Sequence, residues 1–288
     1  MPRASLSNES SPPTYGADEV TYILRERPTS FAGSNFLGLE MDPHHADIVW
    51  ACVSNIDMKP SNTNGIARVN ISSGEVTFYD LSMLANPTTG HMAVLNDLVF
   101  DHSGHIFITD TFGYQVLRFD LVRETAMVWS ADAQFCSQCA AVEPHYDGPN
   151  GVDYLPSVGG SDGYLLVALG SSSRRILKVN AAKPHVPAVE VMVASVVGQV
   201  PLDDMDAILF RGLPAAPNVL YVVGNGVDSL FKLSSDDGWS TAAVSAVFST
   251  QCPHKQPSAL ASMINGDIVV YCTNGFGNAP YPITILEQ

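Results

Sequence analysis

Basic residues are scarce in this sequence. It contains 14 Lys and Arg against 29 Asp and Glu, which gives a formal net charge of -15 over 288 residues. A surface of that sign repels phosphate backbones and anionic lipid headgroups. The composition therefore argues against a nucleic-acid partner.

Long apolar runs are missing as well. No uninterrupted stretch of about eighteen apolar residues occurs, so we expect no membrane-spanning helix. Residues 1–17 are rich in Ser and Pro and hold no hydrophobic stretch, which as written is not typical of a signal peptide. We expect a flexible segment over 1–17 and a single domain over 18–288. The expected location is the cytoplasm as written, or outside the cell if a leader was removed.

Cysteine is sparse, with five residues in the chain. Cys136 and Cys139 form one CxxC pair, and no second pair is present to complete a zinc site. A local disulfide and two unpaired thiols both remain compatible with this spacing. Cys252 and Cys272 are a second candidate pair, which leaves Cys52, on an apolar strand, as a buried thiol.

Common catalytic signatures are also absent. The sequence has no Gly-x-Ser-x-Gly elbow, no Gly-x-x-x-x-Gly-Lys loop and no His-Glu-x-x-His. The Gly-rich triplets at 224–226 and 275–277 lack the strand–helix context of a dinucleotide site, so we interpret them as turns. No long helical periodicity separates the apolar strands, which argues against an α/β fold.

What the sequence does contain is a repeat. Five times an apolar strand opening is followed by a turn and by further apolar strands. The openings lie at intervals of roughly 52 to 58 residues, and they are Leu37–Met41, Leu95–Val99, Pro149–Asp153, Met205–Leu209 and Pro257–Ala261. A repeat of short strands with this period is typical of a β-propeller.

We therefore predict an all-β fold, a β-propeller with five blades counted from the repeats. The fifth repeat lacks an outer strand, and the segment Glu19–Leu24 is a strand without a repeat. Pairing the two would close the ring and remove two sheet edges. A β-sandwich is the structural alternative, although it does not predict a four-strand period repeated along the chain.

A propeller brings the same position of every repeat to one central channel. Asn96, Asn150 and Asp206 then become neighbours, and we predict that these three are the catalytic polar groups. The alternative is that they cap strand ends and satisfy backbone groups around the channel. By the two-residue alternation of a strand, Glu40 and Asp97 should face away from the channel.

Further residues are predicted to contact a substrate at the channel mouth. Leu37 and Ser258 occupy the channel position in the first and fifth repeats. His91, His145 and Tyr146 precede channel strands, where loops form the rim of a propeller. For the loop with His145 and Tyr146, a plain surface turn shaped by its Asp-Gly-Pro is the alternative.

Several of these stretches resemble the senescence marker protein/gluconolactonase family of propellers. The matching segments cover the openings of three repeats and two strands between them: Leu95–Asp101, Gly148–Asp153, Asp203–Ala207, Ile106–Thr111 and Val116–Asp120. The resemblance implies a propeller that more often has six blades, and it extends over roughly residues 36–275. It does not by itself specify an activity, because one fold supports many chemistries.

The same resemblance implies a divalent metal, usually calcium, at the channel mouth. Asn150 and Asp206 match ligand positions of the family, and Asn96 matches a position near metal and substrate. The family's Glu ligand does not carry over, because Leu37 stands at the equivalent strand opening. Asn150 and Asp206 are therefore predicted to bind a metal only if the protein is a metal-dependent hydrolase, as is usual in the family.

Three functions follow from these observations. The first is a small-molecule enzyme that needs no cofactor, a cyclase of secondary metabolism. The resemblance extends to fungal members that catalyse hetero-Diels–Alder cyclisation of a reactive apolar intermediate. The second is a calcium-dependent lactone or ester hydrolase of gluconolactonase type, in which the metal polarises the carbonyl. The third is a binding propeller without catalysis, which predicts an exposed apolar patch on one face.

Overall fold

A computed structural model gives the conformation of most of the chain. The residues it describes are 35–54, 64–84, 94–136, 148–157, 163–170, 173–194, 202–213, 216–252, 256–262, 267–272 and 283–286. Over these ranges the secondary structure is β-strand, with short 3-10 turns at Ser82–Leu84, Ala133–Phe135 and Asn225–Val227. None of the helical turns in the described ranges has the length and apolar character needed to cross a bilayer.

The strands follow the repeat read from the sequence. In chain order they are β1 Asn35–Met41, β2 Ile48–Ser54, β3 Gly65–Asn70, β4 Val76–Asp80, β5 Leu95–Phe100, β6 Ile106–Asp110, β7 Gln115–Asp120, β8 Thr125–Ser130, β9 Pro149–Leu155, β10 Tyr164–Leu169, β11 Ile176–Asn180, β12 Val189–Ala194, β13 Met205–Leu213, β14 Ala216–Gly224, β15 Ser229–Ser234, β16 Thr241–Ser249, β17 Pro257–Ser262, β18 Ile268–Cys272 and β19 Ile283–Leu286. Each of the five predicted strand openings lies within a strand, namely β1, β5, β9, β13 and β17, and further strands follow each of them.

The strands form consecutive antiparallel units. Units 1 to 4 each contain four strands paired in sequence order, beginning with β1, β5, β9 and β13. Unit 5 has the three described strands β17, β18 and β19, also paired in sequence order. This is the up-and-down meander of a propeller blade, and it confirms the predicted all-β propeller class.

The units pack face to face, and each pair of neighbours shares an apolar core. Strand β10 illustrates the alternation: Leu165 and Val167 point into the core shared with unit 2. Leu166 and Ala168 point into the core shared with unit 4. Equivalent cores join units 1 and 2 and units 4 and 5. Because both faces of the middle strands are covered, they read as continuous apolar runs.

The first strand of each unit contacts the first strand of the next. Contacts run from β1 to β5, from β5 to β9, from β9 to β13 and from β13 to β17. These five strands are therefore the inner strands that surround the axis. Each has a register shift within its first few residues, a β-bulge that lies at the same end of every unit.

Units 3 and 4 are also joined at their outer edges. Strand β12 pairs with β16 in parallel over Met192–Ala194, which makes one eight-stranded sheet of the two units. The pairing covers an edge that would otherwise present unpaired backbone groups to solvent.

The cysteine expectations are partly resolved. Cys252 and Cys272 form the predicted disulfide, with Cα atoms 5.5 Å apart, and Cys52 is a buried free thiol. Cys136 is disulfide-bonded as well, while Cys139, its predicted partner, lies outside the described residues. The predicted closing strand Glu19–Leu24 and the flexible segment 1–17 also lie outside them, and the blade count and the boundary at residue 18 stay predictions.

Candidate functional site at the channel mouth

In four of the five inner strands, the bulge places one polar side chain at the same end of the axis. The first residues of the inner strands occupy equivalent ladder positions, as shown by the pairs Leu95–Asp110, Pro149–Leu169, Met205–Gly224 and Pro257–Cys272. The next residue in each strand begins the bulge. These next residues are Asn96, Asn150, Asp206 and Ser258, four of the predicted site residues.

Asp206 is the centre of this group. Its Oδ2 accepts hydrogen bonds from Ser258 Oγ at 2.6 Å and from Asn225 Nδ2 at 3.0 Å. The side chain of Asn150 also hydrogen-bonds to it. The predicted residues of units 3, 4 and 5 are thus brought together, and Asn225, which the sequence analysis had assigned to a turn, joins them.

Burial is the main cause of the shifted pKa of the Asp206 carboxyl group. It raises the pKa of Asp206, and the nearby Asp204 carboxylate raises it further. Hydrogen bonds from Ser258, Asn225 and Asn150 favour the charged form and offset part of that rise. Asp206 therefore holds its proton to a higher pH than an ordinary aspartate.

The side-chain amide of Asn150 donates a hydrogen bond to Asp206, but its oxygen accepts none from the described residues. The residue is 8% exposed, and its Oδ1 has no hydrogen-bond partner among the described residues. An unpaired buried acceptor costs about 1–3 kcal/mol in a folded protein. This oxygen is consequently the clearest indication in the site of a group that a ligand could satisfy.

Asn96 belongs to a neighbouring network that fixes the strand carrying Asn150. Asn96 Nδ2 donates to Thr111 Oγ1 at 3.1 Å, and Thr111 Oγ1 donates to the Pro149 carbonyl at 2.7 Å. Thr109 Oγ1 donates to the Asn150 carbonyl at 2.6 Å. Two threonines of unit 2 thus hold the opening of unit 3 at two successive residues.

The prediction that Asp97 faces away from the axis was wrong. Its Oδ2 accepts a hydrogen bond from the backbone nitrogen of Val152 at 3.0 Å, on the inner strand of the next unit. Asp153 repeats the arrangement with the nitrogen of Phe210 at 2.5 Å. The alternation failed because the bulge in β5 inserts one residue, so Asn96 and Asp97 both lie on the inner side.

The same correction applies to Glu40. Strand β1 has its bulge between Phe36 and Leu39, upstream of Glu40, which shifts the alternation on which the prediction rested. The Glu40 carboxyl lies within electrostatic range of Asp97 and Asp153. Glu40 therefore belongs to the axial carboxyl groups, although much of its side chain is exposed.

Burial raises the pKa of these carboxyl groups, and neighbouring carboxylates raise the pKa of Asp97 and Glu40 further. Burial, followed by the charges of Asp153 and Asp206, raises the pKa of Asp97 to about 7 against its backbone hydrogen bonds. Burial raises the pKa of Asp153 to about 7. The surrounding protein and the carboxylates of Asp153 and Asp97 raise the pKa of Glu40 to about 8. Near neutral pH these three carboxyl groups are therefore only partly ionised.

Among the remaining predicted residues, the structure describes Leu37, which has no polar group to add to the hydrogen bonds around Asp206. Leu37 is partly buried and packs against the core shared by units 1 and 2. His91, His145 and Tyr146 lie outside the described residues. Their substrate-binding roles, like those of Leu37 and Ser258, stay predictions.

A signal in the sequence marks the residues that were missed. Ser54, Thr111 and Asn225 each stand where the second strand of a unit ends, and they recur with the period of the repeat. Ser54 Oγ donates to the Leu95 carbonyl at 2.7 Å, just as Thr111 does to Pro149. Aligning the ends of the second strands, as well as the openings of the first, would have identified them.

The described donors do not fit the calcium site that the family resemblance implies. No three His, Cys, Asp or Glu side chains in the described part of the chain are grouped to hold a metal ion. Asn150 Oδ1, Asp206 and Ser258 together offer four side-chain oxygens, and Asp206 Oδ2 already accepts two hydrogen bonds. Calcium takes about six to eight oxygen ligands, usually with several carboxylates.

Comparisons with known proteins support the fold. No protein-family model matches the sequence, and no curated protein matches it. The structure is similar to Mala s 1, the major allergen of Malassezia sympodialis, with 14% identity, a TM-score of 0.65 and coverage of 88% of this chain and 78% of that one. It is also similar to a putative oxidoreductase (glucose dehydrogenase) of Thermus thermophilus, with 16% identity, a TM-score of 0.54 and coverage of 88% and 84%.

A third similar structure is virginiamycin B lyase of Staphylococcus aureus, with 13% identity, a TM-score of 0.51 and coverage of 88% and 69%. Two of these three proteins are named as enzymes and one as an allergen, so the shared fold does not select an activity. At such low identity the likeness is one of fold alone. The chain is a β-propeller, and its function has to be argued from the site.

Proposed function

We propose that this protein is a small-molecule enzyme that acts at the mouth of the propeller channel, a cyclase of secondary metabolism. The reaction is a hetero-Diels–Alder cycloaddition, in which a 1-oxadiene and an alkene combine. One C–C and one C–O bond form, three π bonds become one, and no atom leaves. Asn150, Asp206 and Asn96 are the proposed catalytic residues.

The observation that supports the proposal is that Asp206 accepts hydrogen bonds from side chains of three successive units. Asn150, Asn225 and Ser258 all reach it, while Asn150 keeps an unused acceptor beside it. Such a group can position two reacting parts of one molecule, which lowers the entropy that the reaction must lose. Hydrogen bonds to the carbonyl of the oxadiene would withdraw electrons from it as the new bonds form.

The cycloaddition is accelerated by a hydrogen-bond donor at the carbonyl group of the oxadiene and does not require a hydroxide ion. Burial raises the pKa of Asp206, so its carboxyl keeps the proton that it could donate to a higher pH than an ordinary aspartate does. A protonated carboxyl can donate to a substrate carbonyl without becoming a nucleophile. This favours electronic activation and positioning over hydrolysis.

The test supplies the full-length protein with a reactive pair generated in solution. An α,β-unsaturated ketone serves as the oxadiene and a vinyl ether as the alkene, and chiral chromatography measures the cycloadduct. The expected result is an excess of one enantiomer over the racemic background. Asp206→Asn and Asn150→Ala should lower the rate by about 100-fold, while Ser245→Ala, on the outer strand β16, should leave it unchanged. Equal rates in both site variants and the parent would overturn the assignment.

Calcium-dependent lactone hydrolysis is the second candidate, and the unpaired Asn150 Oδ1 beside a carboxyl group is the observation that favours it. It would require ligands from outside the described residues, because the described donors are too few. The measurement is hydrolysis of a neutral aldonolactone in a pH-stat, with added calcium and after exhaustive chelation. Calcium-dependent turnover would favour this candidate over the cyclase.

A binding propeller without catalysis is the third candidate. Large exposed apolar side chains are distributed over units 1 to 4, and examples are Met83, Val122, Met192 and Phe248. These four examples lie on turns and outer strands of different units, while Leu39 and Met41, also exposed, lie on the inner strand β1. A docking surface for a protein partner needs a contiguous patch. The distribution gives this candidate less support than the axial site gives an enzyme.

A further inference from the structure

The unpaired oxygen of Asn150 specifies what kind of group can bind beside it. Oδ1 of an amide is a hydrogen-bond acceptor and cannot donate. It lies on a residue that is 8% exposed, and the amide side chain already reaches Asp206. A ligand that relieves the cost of this orphaned acceptor must therefore bring an O–H or N–H group.

The charges around the axis restrict the ligand further. Asp206 is in direct contact with Asn150, and Asp97, Asp153 and Glu40 lie within electrostatic range along the inner strands. Within the described ranges, no Lys, Arg or His side chain forms an ion pair with any of these four carboxyl groups. Once these carboxyl groups lose their protons, above the pKa of about 7 of Asp97 and Asp153, a second anion placed here would meet repulsion without a compensating cation.

We propose that the ligand of this site is a molecule without negative charge that presents a hydroxyl or ammonium donor to Asn150 Oδ1. The inference deepens the proposed function and rests on the same site. It restricts the substrate class to alcohols, enols or amines and excludes carboxylates and phosphates. The hydroxyl or ammonium group would anchor the molecule at Asn150, next to Asp206.

Four probes of similar size separate donor capacity from charge. Benzyl alcohol is a neutral donor, benzyl methyl ether lacks the donor, benzylammonium is a charged donor and benzoate is an anion. Binding to the full-length protein is followed by NMR of the 15N-labelled Asn side chains, with the Asn150 signal assigned from a variant. This measurement requires neither catalysis nor knowledge of the natural substrate.

Benzyl alcohol should bind about tenfold more tightly than the ether, because one hydrogen bond to a buried acceptor is worth about 1.4 kcal/mol. Benzylammonium should bind at least as tightly as the alcohol. Its affinity should rise between pH 6 and pH 8, since the axial carboxyl groups lose protons in that range. Benzoate should not shift the Asn150 signal at concentrations that saturate the alcohol.

A variant tests whether Asn150 is the acceptor. In Asn150→Leu the alcohol and the ether should bind equally, as judged by competition with a fluorinated analogue of the alcohol, while Ser245→Ala should keep the tenfold difference. Circular dichroism confirms that the variant is folded. If Asn150→Leu does not fold, the alcohol-to-ether ratio in the parent protein still decides.

Equal binding of alcohol and ether to the parent, binding of benzoate at Asn150, or no binding of any probe would each overturn the inference. The proposed cyclase fails separately. If the protein binds hydroxyl and ammonium probes selectively but does not accelerate the cycloaddition, the cyclase proposal is wrong and the proposed ligand class is retained. An enantioselective cycloaddition with no preference for donors would do the reverse.

Discussion

Thr111 Oγ1 donates a hydrogen bond to the carbonyl of Pro149 at 2.7 Å, across the boundary between units 2 and 3. The same hydroxyl accepts from Asn96 Nδ2 at 3.1 Å, and Thr111 is fully buried. One side chain therefore connects a predicted catalytic residue to the strand that carries another. The position of Asn150 at the axis depends on a residue that no catalytic motif marks.

Two variants of Thr111 should distinguish the contribution of its hydroxyl group from that of its side-chain shape. Thr111→Val removes the buried hydrogen bond to the Pro149 carbonyl and the part-buried one from Asn96, and it should lower the free energy of unfolding by about 1–3 kcal/mol. It should also weaken binding of benzyl alcohol by about tenfold. Thr111→Ser restores the hydroxyl and should recover binding to within a few-fold. Urea unfolding and NMR titration measure the two effects, and weak binding in both variants would assign the loss to packing of the methyl group instead.

The axial carboxyl groups predict an unusual pH dependence of stability. The pKa of Asp97 is about 7 in the folded protein, against about 3.9 for an aspartate in an unfolded chain. Between these two values the folded state keeps a proton that the unfolded state releases, so the free energy of unfolding falls as pH rises. The fall is about 1.4 kcal/mol per pH unit for each such group, and it ends above pH 7.

Asp97→Asn and Asp153→Asn should each remove one such contribution, because an amide does not titrate. The free energy of unfolding should fall less in each variant than in the parent between pH 5 and pH 8. Urea titration at both pH values measures this difference. Ser245→Ala should follow the parent. A parent–variant difference that stays constant with pH would contradict the raised pKa values of Asp97 and Asp153.

Gly38 allows the inner strands of units 1 and 2 to approach closely. A Cβ atom at this position would lie 2.5 Å from Asp97 Cα and 2.7 Å from the Asn96 carbonyl oxygen, both of which belong to the backbone. Gly38→Ala should therefore displace the opening of β5 and lower the free energy of unfolding by about 1–3 kcal/mol. A melting temperature unchanged from the parent would show that the two strands are not in contact.

The disulfide between Cys252 and Cys272 should stabilise the last unit. It links the segment after β16 to β18 across 20 residues of sequence. In the chain-entropy model, a loop of this size corresponds to about 3 kcal/mol. The double variant Cys252→Ser/Cys272→Ser should lose about that amount relative to the parent without reductant, and the difference should shrink when both proteins are reduced. A difference that persists under reduction would come from packing of the cysteine side chains rather than from the cross-link.

Much of the fold follows from patterns that the sequence displays openly. Strands such as β10 alternate between two buried faces, and turns such as Asp101–Gly104 separate them, so their positions could be predicted to within a few residues. The convergence of Asn150, Asp206 and Ser258 also followed, because a repeat of fixed period places equivalent residues around one axis.

The carboxyl groups along the axis could not be placed in the same way. A β-bulge adds a residue without leaving a mark in the hydrophobic pattern, and every prediction of side-chain direction beyond it is reversed. Glu40 and Asp97 were assigned to the wrong side for this reason. Asn225 was missed because only the openings of the first strands were aligned, whereas Asn225 follows the second strand of its unit, where it donates to Asp206.

A crystal structure of the full-length protein with benzyl alcohol bound tests the central claim most directly. That claim is that side chains from separate units form one ligand site at the channel mouth. We expect the alcohol oxygen within hydrogen-bond distance of Asn150 Oδ1, beside Asp206 and Ser258. An alcohol bound elsewhere, with the Asn150, Asp206 and Ser258 side chains unperturbed, would contradict it.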